Sequence, residues 1–247
     1  MLKDLKADLH IHTCLSPCGD LEMSPQGIVK EAVKKEIDLI AICDHNSAEN
    51  SGAVIKASER RELMVLPGIE VASKEEVHIC ALFEDVDDAL NMQSLIYDNL
   101  EGENNEDAFG MQVVANAEDE VLGFNRKLLI GATSLSVEMV VDSIHFFNGL
   151  AIAAHIDRER FGIIGQLGFI PPNLRLDALE ISPKMKMEEA QVRFSEYQKF
   201  PFLCSSDAHY LNDIGKGATT FLLADTTFEE LRIALKGEGD RKIRNLK

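Results

Sequence analysis

The chain has 247 residues, no tryptophan and only three tyrosines. That scarcity leaves no obvious stacking platform for a long nucleic-acid strand. No apolar run approaches membrane-spanning length, and the opening MLKDLKADLH lacks the apolar segment of a signal peptide. The five cysteines are odd in number and scattered through a chain far too long for a disulfide scaffold, so a reducing, cytoplasmic setting is expected. Lysine and arginine are missing altogether from Glu75 to Asn125, where fourteen Asp and Glu fall. The rest of the chain is near neutral, with 28 acids against 25 bases, although the net charge is −17. This pattern offers no basic footprint, so neither long duplex nucleic acid nor a membrane is expected as a partner. Walker-type loops and dinucleotide fingerprints are also missing.

What is present is an alternation of short apolar runs and amphipathic patterns. Strands are predicted at 7–13, 39–43, 64–71, 77–83, 150–154, 178–181, 202–205 and 219–223, and helices at 24–35, 48–61, 136–147, 188–199 and 227–236. Ser24-Pro25 reads as a helix start, serine as cap and proline in the first turn. The alternation points to one α/β domain over 1–247, a parallel sheet or a barrel. Residues 85–126 interrupt the rhythm and read as an acidic inserted subdomain or lid.

The seven histidines are not placed at random. His10 and His12 share a strand face, because strand side chains alternate with period two, which sends Ala7, Leu9 and Ile11 to the opposite face. Two neighbouring imidazoles repel if both are charged, whereas a metal takes both as neutral donors. Apolar runs also lead into Asp44-His45, into Glu70, through His78, into His155, and into Asp207 and His209. Six of the seven histidines therefore lie in or at the end of a predicted strand. The C-terminal strand ends are where parallel barrels assemble chemistry. His145 lies in a helix pattern and reads as structural. Imidazole plus carboxylate suits Zn, Mn or Fe. The nine candidates His10, His12, Asp20, His45, Glu70, His78, His155, Asp207 and His209 are too many for one ion. Metal pairs bridged by a carboxylate activate water and clamp phosphoryl groups.

In order along the chain, DLHIHT, AICDHN, LPGIEV, VHI, AAHID and SSDAH resemble the motifs of the polymerase and histidinol phosphatase (PHP) family of metal-dependent phosphoesterases. The resemblance implies a distorted (β/α)7 barrel, TIM-barrel-like, with two or three divalent ions (Zn, Mn or Fe). It implies His10, His12, Glu70 and Asp207 for a first ion, Glu70 as bridge with His78 and His155 for a second, and Asp20, His45 and His209 for a third. Glu70, Asp207 and His209 would thereby position a hydroxide held between metals, so no serine or cysteine nucleophile is needed. The loop TCLSPCGD departs from members that place a histidine there, and Asp20 is the expected replacement. Cys14 and Cys18 read as loop residues, with ligation or a redox pair as the alternatives. Asp44 reads as a residue that orients a ligand.

The expected substrate is a small phosphorylated metabolite, a nucleotide bisphosphate or the end of a short oligonucleotide. Arg158 and Arg160, just past His155, are the anion-binding candidates, against surface ion pairs with Asp157 or Glu159. Ser206 is a further hydrogen-bonding candidate, and Lys184 and Lys186 are weaker ones. The alternatives are amide or ester hydrolysis in the same site, or a non-catalytic domain stabilised by metal. The sequence leaves the oligomeric state open.

Overall fold

The computed structural model describes residues 1–244. The chain opens with β1 (Lys3–Ile11), α1 (Pro25–Lys34), β2 (Leu39–Ile42), α2 (Ser51–Ser58), β3 (Met64–Ala72) and β4 (His78–Leu82). Next come α3 (Val86–Asp98), α4 (Glu106–Phe109), the small hairpin β5 (Val113–Ala115) and β6 (Val121–Phe124), α5 (Val137–Phe146) and β7 (Leu150–Ala153). It ends with α6 (Ile163–Leu167), β8 (Ala178–Ile181), α7 (Met187–Arg193), β9 (Phe202–Cys204), β10 (Thr219–Leu223), α8 (Phe228–Lys236) and β11 (Lys242–Arg244). As the sequence suggests, Ser24 caps α1: its Oγ accepts from Gly27 N at 3.2 Å, with Pro25 in the first turn.

Seven strands run side by side in the order β1, β2, β3, β4, β7, β8, β9. The ring nearly closes where Ala208, just past β9, bridges Ile11, with His12 N donating to Ala208 O at 3.0 Å. This is the expected α/β barrel. Its distortion is specific: β4 runs antiparallel to both neighbours, while the remaining barrel pairs are parallel. The reversal puts the first residue of β4, His78, at the same barrel end as the C-termini of its neighbours. The β10–β11 hairpin adds antiparallel strands outside β1.

One apolar cluster draws on all seven barrel strands, from Leu9 and Ala41 to Ala178 and Leu203, and so fills the interior; α8 closes it below. A second packs α1 and α2 on the outside, and a third packs α3, α5 and α7. The alternation along β1 is broken. Leu9 joins the interior whereas Ile11 packs outward with Ile28 and Ile40. The register between β1 and β2 shifts between Asp8 and Ile11, and such a bulge reverses side-chain facing. Residues 85–126 comprise α3, which packs in the main outer core, and then α4 and the β5–β6 hairpin. The hairpin lies against the loop after β1: Val113 and Ala115 contact Cys14, and Asn50 receives Ala115 N at 3.0 Å.

Asp8 ties the last site loop to the first strand. Fully buried, its carboxylate accepts from Ser206 N at 2.9 Å and Gly215 N at 2.7 Å. Burial pushes its pKa up to about 6 against the lowering effect of those two donors. The unfolded value is about 3.9, so the protonated form stabilises the fold and that contribution is lost as pH rises through about 6. The stability of the native chain relative to Asp8→Asn is expected to fall by about 2 kcal/mol between roughly pH 4.5 and 7.5 in urea melts. A pH-independent difference would refute this.

Candidate metal centre

Glu70 sits at the end of β3 with 1% of its surface exposed. Its Oε1 lies 2.7 Å from His78 Nδ1, 3.1 Å from His155 Nε2 and 3.4 Å from His10 Nε2; its Oε2 lies 2.9 Å from His45 Nδ1 and 3.4 Å from His12 Nε2. Five histidines from four chain segments thus surround one carboxylate. Asp207 completes the near side, its Oδ1 3.0 Å from His12 Nε2 and 3.5 Å from His10 Nε2. His209 stacks on His12 with ring centroids 4.1 Å apart.

The backbone is bent to bring these groups in. Asn46, His155 and Asp207 hold positive φ of 52°, 30° and 50°, conformations that surrounding structure must enforce in residues with a Cβ. Asn46 is held by its own amide, which donates to Leu129 O and Gly131 O at 2.8 Å each. Its backbone N donates to Glu70 O at 2.9 Å and thereby locks the end of β2 to the end of β3.

The electrostatics are those of a site built around positive charge. Burial opposes ionisation of Glu70, but His78, His10 and His45 hold its carboxyl well below the usual range. Burial likewise works against Asp207, and His10 and His12 hold it far down. Burial, then His209, drives His12 well below an ordinary histidine, while burial lowers His78 against the pull of Glu70. Against burial, Glu180 and Glu70 hold His10 well above an ordinary histidine, and Glu70 does the same for His45; crowded imidazoles facing ionised carboxylates in this way are a metal-ligand set. Two details fit an ion better than hydrogen bonding alone. His10 Nε2 and His12 Nε2 face each other at 3.2 Å, and only one of them can donate. Glu70 Oε2 and His155 Nδ1 are buried without a hydrogen-bond partner, although unpaired buried polar atoms are costly. Four groups of donors converge closely enough to share an ion: His10 with His12, Glu70 and Asp207; His45 with Glu70 and His78; His12 with His45 and His209; and, deeper, His10 with Cys80 and Glu180. His155 reaches the centre through Glu70 Oε1.

The other sequence candidates fall in different places. Asp20 Oδ1 accepts from Glu22 N at 2.8 Å, within its own turn. Cys18 instead lines the cleft of about 240 Å³ over the centre, with His45, His209, Arg158, Phe161 and Ile130 among the walls. Cys14 is buried against the β5–β6 hairpin. Arg158 reaches the site, but its partner is Asp207 Oδ2 at 2.6 Å rather than Asp157 or Glu159. Asp157 accepts from Ser182 N and Oγ instead. Arg160, Lys184 and Lys186 are exposed and do not line the cleft. The Ser206 hydroxyl donates to His10 O at 3.4 Å, inside the strand end. Asp44 accepts from Thr13 N and from the Thr13 and Ser16 hydroxyls, and Ser16 Oγ lies 2.9 Å from His12 Nδ1; a carboxylate–serine relay thus orients His12. His145 pairs with Asp177 at 2.9 Å on α5, away from the centre.

Glu180, in the middle of β8, escapes a sequence reading. Its two oxygens lie 3.0 and 3.2 Å from His10 Nδ1, and Oε1 also accepts from His155 N at 3.1 Å. It fixes the proton of His10 on Nδ1 and leaves Nε2 free toward Glu70 and Asp207.

A family model described as the PHP domain matches residues 8–201, and one described as PHP-associated matches 189–238. The chain belongs to the PHP-domain family. The uncharacterised protein YqxK of Bacillus subtilis is 31% identical over 117 residues, 45% of this chain and 29% of that protein. Among solved structures, the lesion-specific endonuclease Q of Pyrococcus furiosus superposes with a TM-score of 0.77 at 21% identity, covering 98% of this chain and 58% of the endonuclease. A protein of Bifidobacterium adolescentis assigned as a metal-dependent phosphoesterase matches at 0.58 and 17% identity, over 92% of this chain and 94% of that one. The chain thus spans well under two thirds of YqxK and of endonuclease Q.

These likenesses correct the expectation of a small phosphorylated substrate with long duplex nucleic acid excluded. Endonuclease Q, with the same fold, has been solved with a 27-mer duplex carrying an abasic lesion at the active site. The exclusion rested on net charge, whereas phosphate contacts are made by local groups. Arg158 lies at the cleft, paired with Asp207.

Glu180→Gln keeps the shape of the side chain but weakens its hold on His10. It is expected to lower divalent-metal affinity about 10–100-fold in competition with a chelating dye. Unchanged affinity would remove Glu180 from the centre.

Proposed function

We propose that the chain is a metal-dependent phosphoester hydrolase whose substrate is a nucleic-acid phosphodiester. The observation that carries the reading is the convergence of His10, His12, His45, His78, His155 and Asp207 on or beside one buried carboxylate, Glu70, at the end of a barrel. The donor set fits a first ion on His10, His12, Glu70 and Asp207, and a second is read on Glu70 and His78 with His155, which reaches Glu70 Oε1. His45 and His209 face a third position. Divalent ions bound there would acidify water and neutralise phosphoryl oxygens. The duplex substrate of endonuclease Q supports nucleic acid as the substrate class.

The protein's own groups have separable tasks. Glu180 and the Asp44–Ser16 relay keep His10 and His12 oriented. Arg158, 39% exposed and reaching Asp207 from the cleft, is placed to bind a phosphate oxygen by turning outward, and its guanidinium suits a phosphodiester. Arg160 lies farther out, where it would meet the flanking backbone. His78 carries Phe161 stacked on its outer face at 4.6 Å, which shields that histidine from solvent.

Metal-loaded protein should cleave single- or double-stranded oligonucleotides, with abasic duplexes included in the panel. A chelator, or Asp207→Asn, should reduce turnover by at least about 100-fold. Arg158→Ala should mainly raise KM, by roughly 10-fold or more, as expected for the loss of a charge-assisted contact. Turnover of amides with no metal-dependent phosphoester cleavage would overturn the reading. So would intact phosphoesterase activity in His12→Ala with only a lower melting temperature.

A further inference from the structure

The loop after β1 offers two donors for the position faced by His45 and His209, and the structure separates them. The Asp20 carboxylate is engaged in its own turn, with Oδ1 accepting from Glu22 N, while its backbone N donates to His209 O at 2.9 Å. Two residues earlier, the exposed Cys18 lies in the cleft wall together with His45 and His209. The turn that presents it is tightly built. Ser16 N donates to Thr13 O, Gly19 N donates to Ser16 O, and Asp44 grips Thr13 and Ser16. Any Cβ at residue 19 would sit 2.5 Å from Thr13 O.

A second observation belongs to the same cleft, which Glu70 also lines. Glu70 Oε2 is buried and makes no hydrogen bond, although His45 Nδ1 is 2.9 Å away and His12 Nε2 3.4 Å. The ring nitrogens of His12, His45 and His209 all lie within 4.8 Å of one another.

We propose that Cys18 supplies a thiolate to a metal ion held with His45 and His209 beside Glu70 Oε2. This rests on the reading of the histidine cluster as a metal centre, and not on the choice of phosphoester as substrate. A thiolate among imidazoles selects a borderline or soft ion, Zn, Fe(II) or Co(II), over Mg or Ca. Binding transfers the thiol proton to solvent as the sulfur–metal bond forms.

Reconstitution of the full chain with Co(II) tests this. The expected result is a sulfur-to-cobalt charge-transfer absorption in the near ultraviolet. The band should be lost in Cys18→Ser with one equivalent less metal, and kept in Cys14→Ser, Cys80→Ser and Asp20→Asn. Persistence of the band in Cys18→Ser, or loss of the ion in Asp20→Asn alone, would overturn the assignment. X-ray absorption on the native Co(II) protein decides the point if the variant fails to fold: a sulfur scatterer at about 2.3 Å is required, and an all-N/O shell refutes it. Cobalt bound with sulfur but without phosphoester cleavage would sink the proposed function and leave this assignment standing. No cobalt uptake would sink both.

Discussion

Glu70 is an ionised carboxylate almost entirely removed from water, and the rest of the site answers that constraint. An isolated buried carboxylate is intolerable without positive charge or donors. Each neighbour that could compensate it is a histidine, and those histidines crowd one another. Protonating all of them would replace one uncompensated charge with several like charges a few ångströms apart. The opposite shifts of His10 and His12 show the conflict: Glu180 ahead of Glu70 and Asp207 outweighs burial at His10, whereas burial and His209 prevail at His12. Divalent ions resolve it without crowding protons, because each imidazole then gives a lone pair rather than holding a charge.

The barrel is shaped to satisfy that constraint. Its lower interior is apolar and dense, so the polar groups are confined to one end. The bulge in β1 turns Ile11 outward toward α1 and leaves His10 and His12 together under the opening. The reversal of β4 delivers His78 from the start of a strand to the end where its neighbours finish. Positive φ at His155 and Asp207 is strain of order 1–3 kcal/mol each. It is held in place by hydrogen bonds such as Glu180 with His155 N and Asp8 with Ser206 N. The strain and the buried acids are tolerated because they serve the same few side chains.

Much of this was legible in the sequence, because strand periodicity and strand ends are local signals. His10-Ile11-His12, Asp44-His45, His155 and Asp207-Ala208-His209 each stand beside an apolar run. What escaped depends on contacts between distant residues. Glu180 lies in Ala178–Ile181, which reads as a buried strand, and its partner His10 is 170 positions away. The facing of Leu9 depends on a register shift with β2 that no pattern within β1 announces. The tyrosine and charge scarcities were real, but they are averages over the chain, and a cleft responds to the groups that line it.

The loop after β1 shows why spacing alone could not say which of its side chains lines the cleft. Both Asp20 and Cys18 lie at plausible distances along the chain from His12, and aspartate is the better donor by type. Aspartate is also the residue that most readily accepts from the backbone N–H two positions on, and Asp20 does this with Glu22. A carboxylate drawn into its own turn is less available to the centre. Cysteine has no comparable local competitor, and with the turn fixed by Gly19 and by Asp44 its side chain is left to the cleft. The same Asp44 that holds the turn orients His12 through Ser16. The direction of Cys18 and the direction of a histidine ligand are therefore set by one buried carboxylate, so disturbing Asp44 reaches both at once.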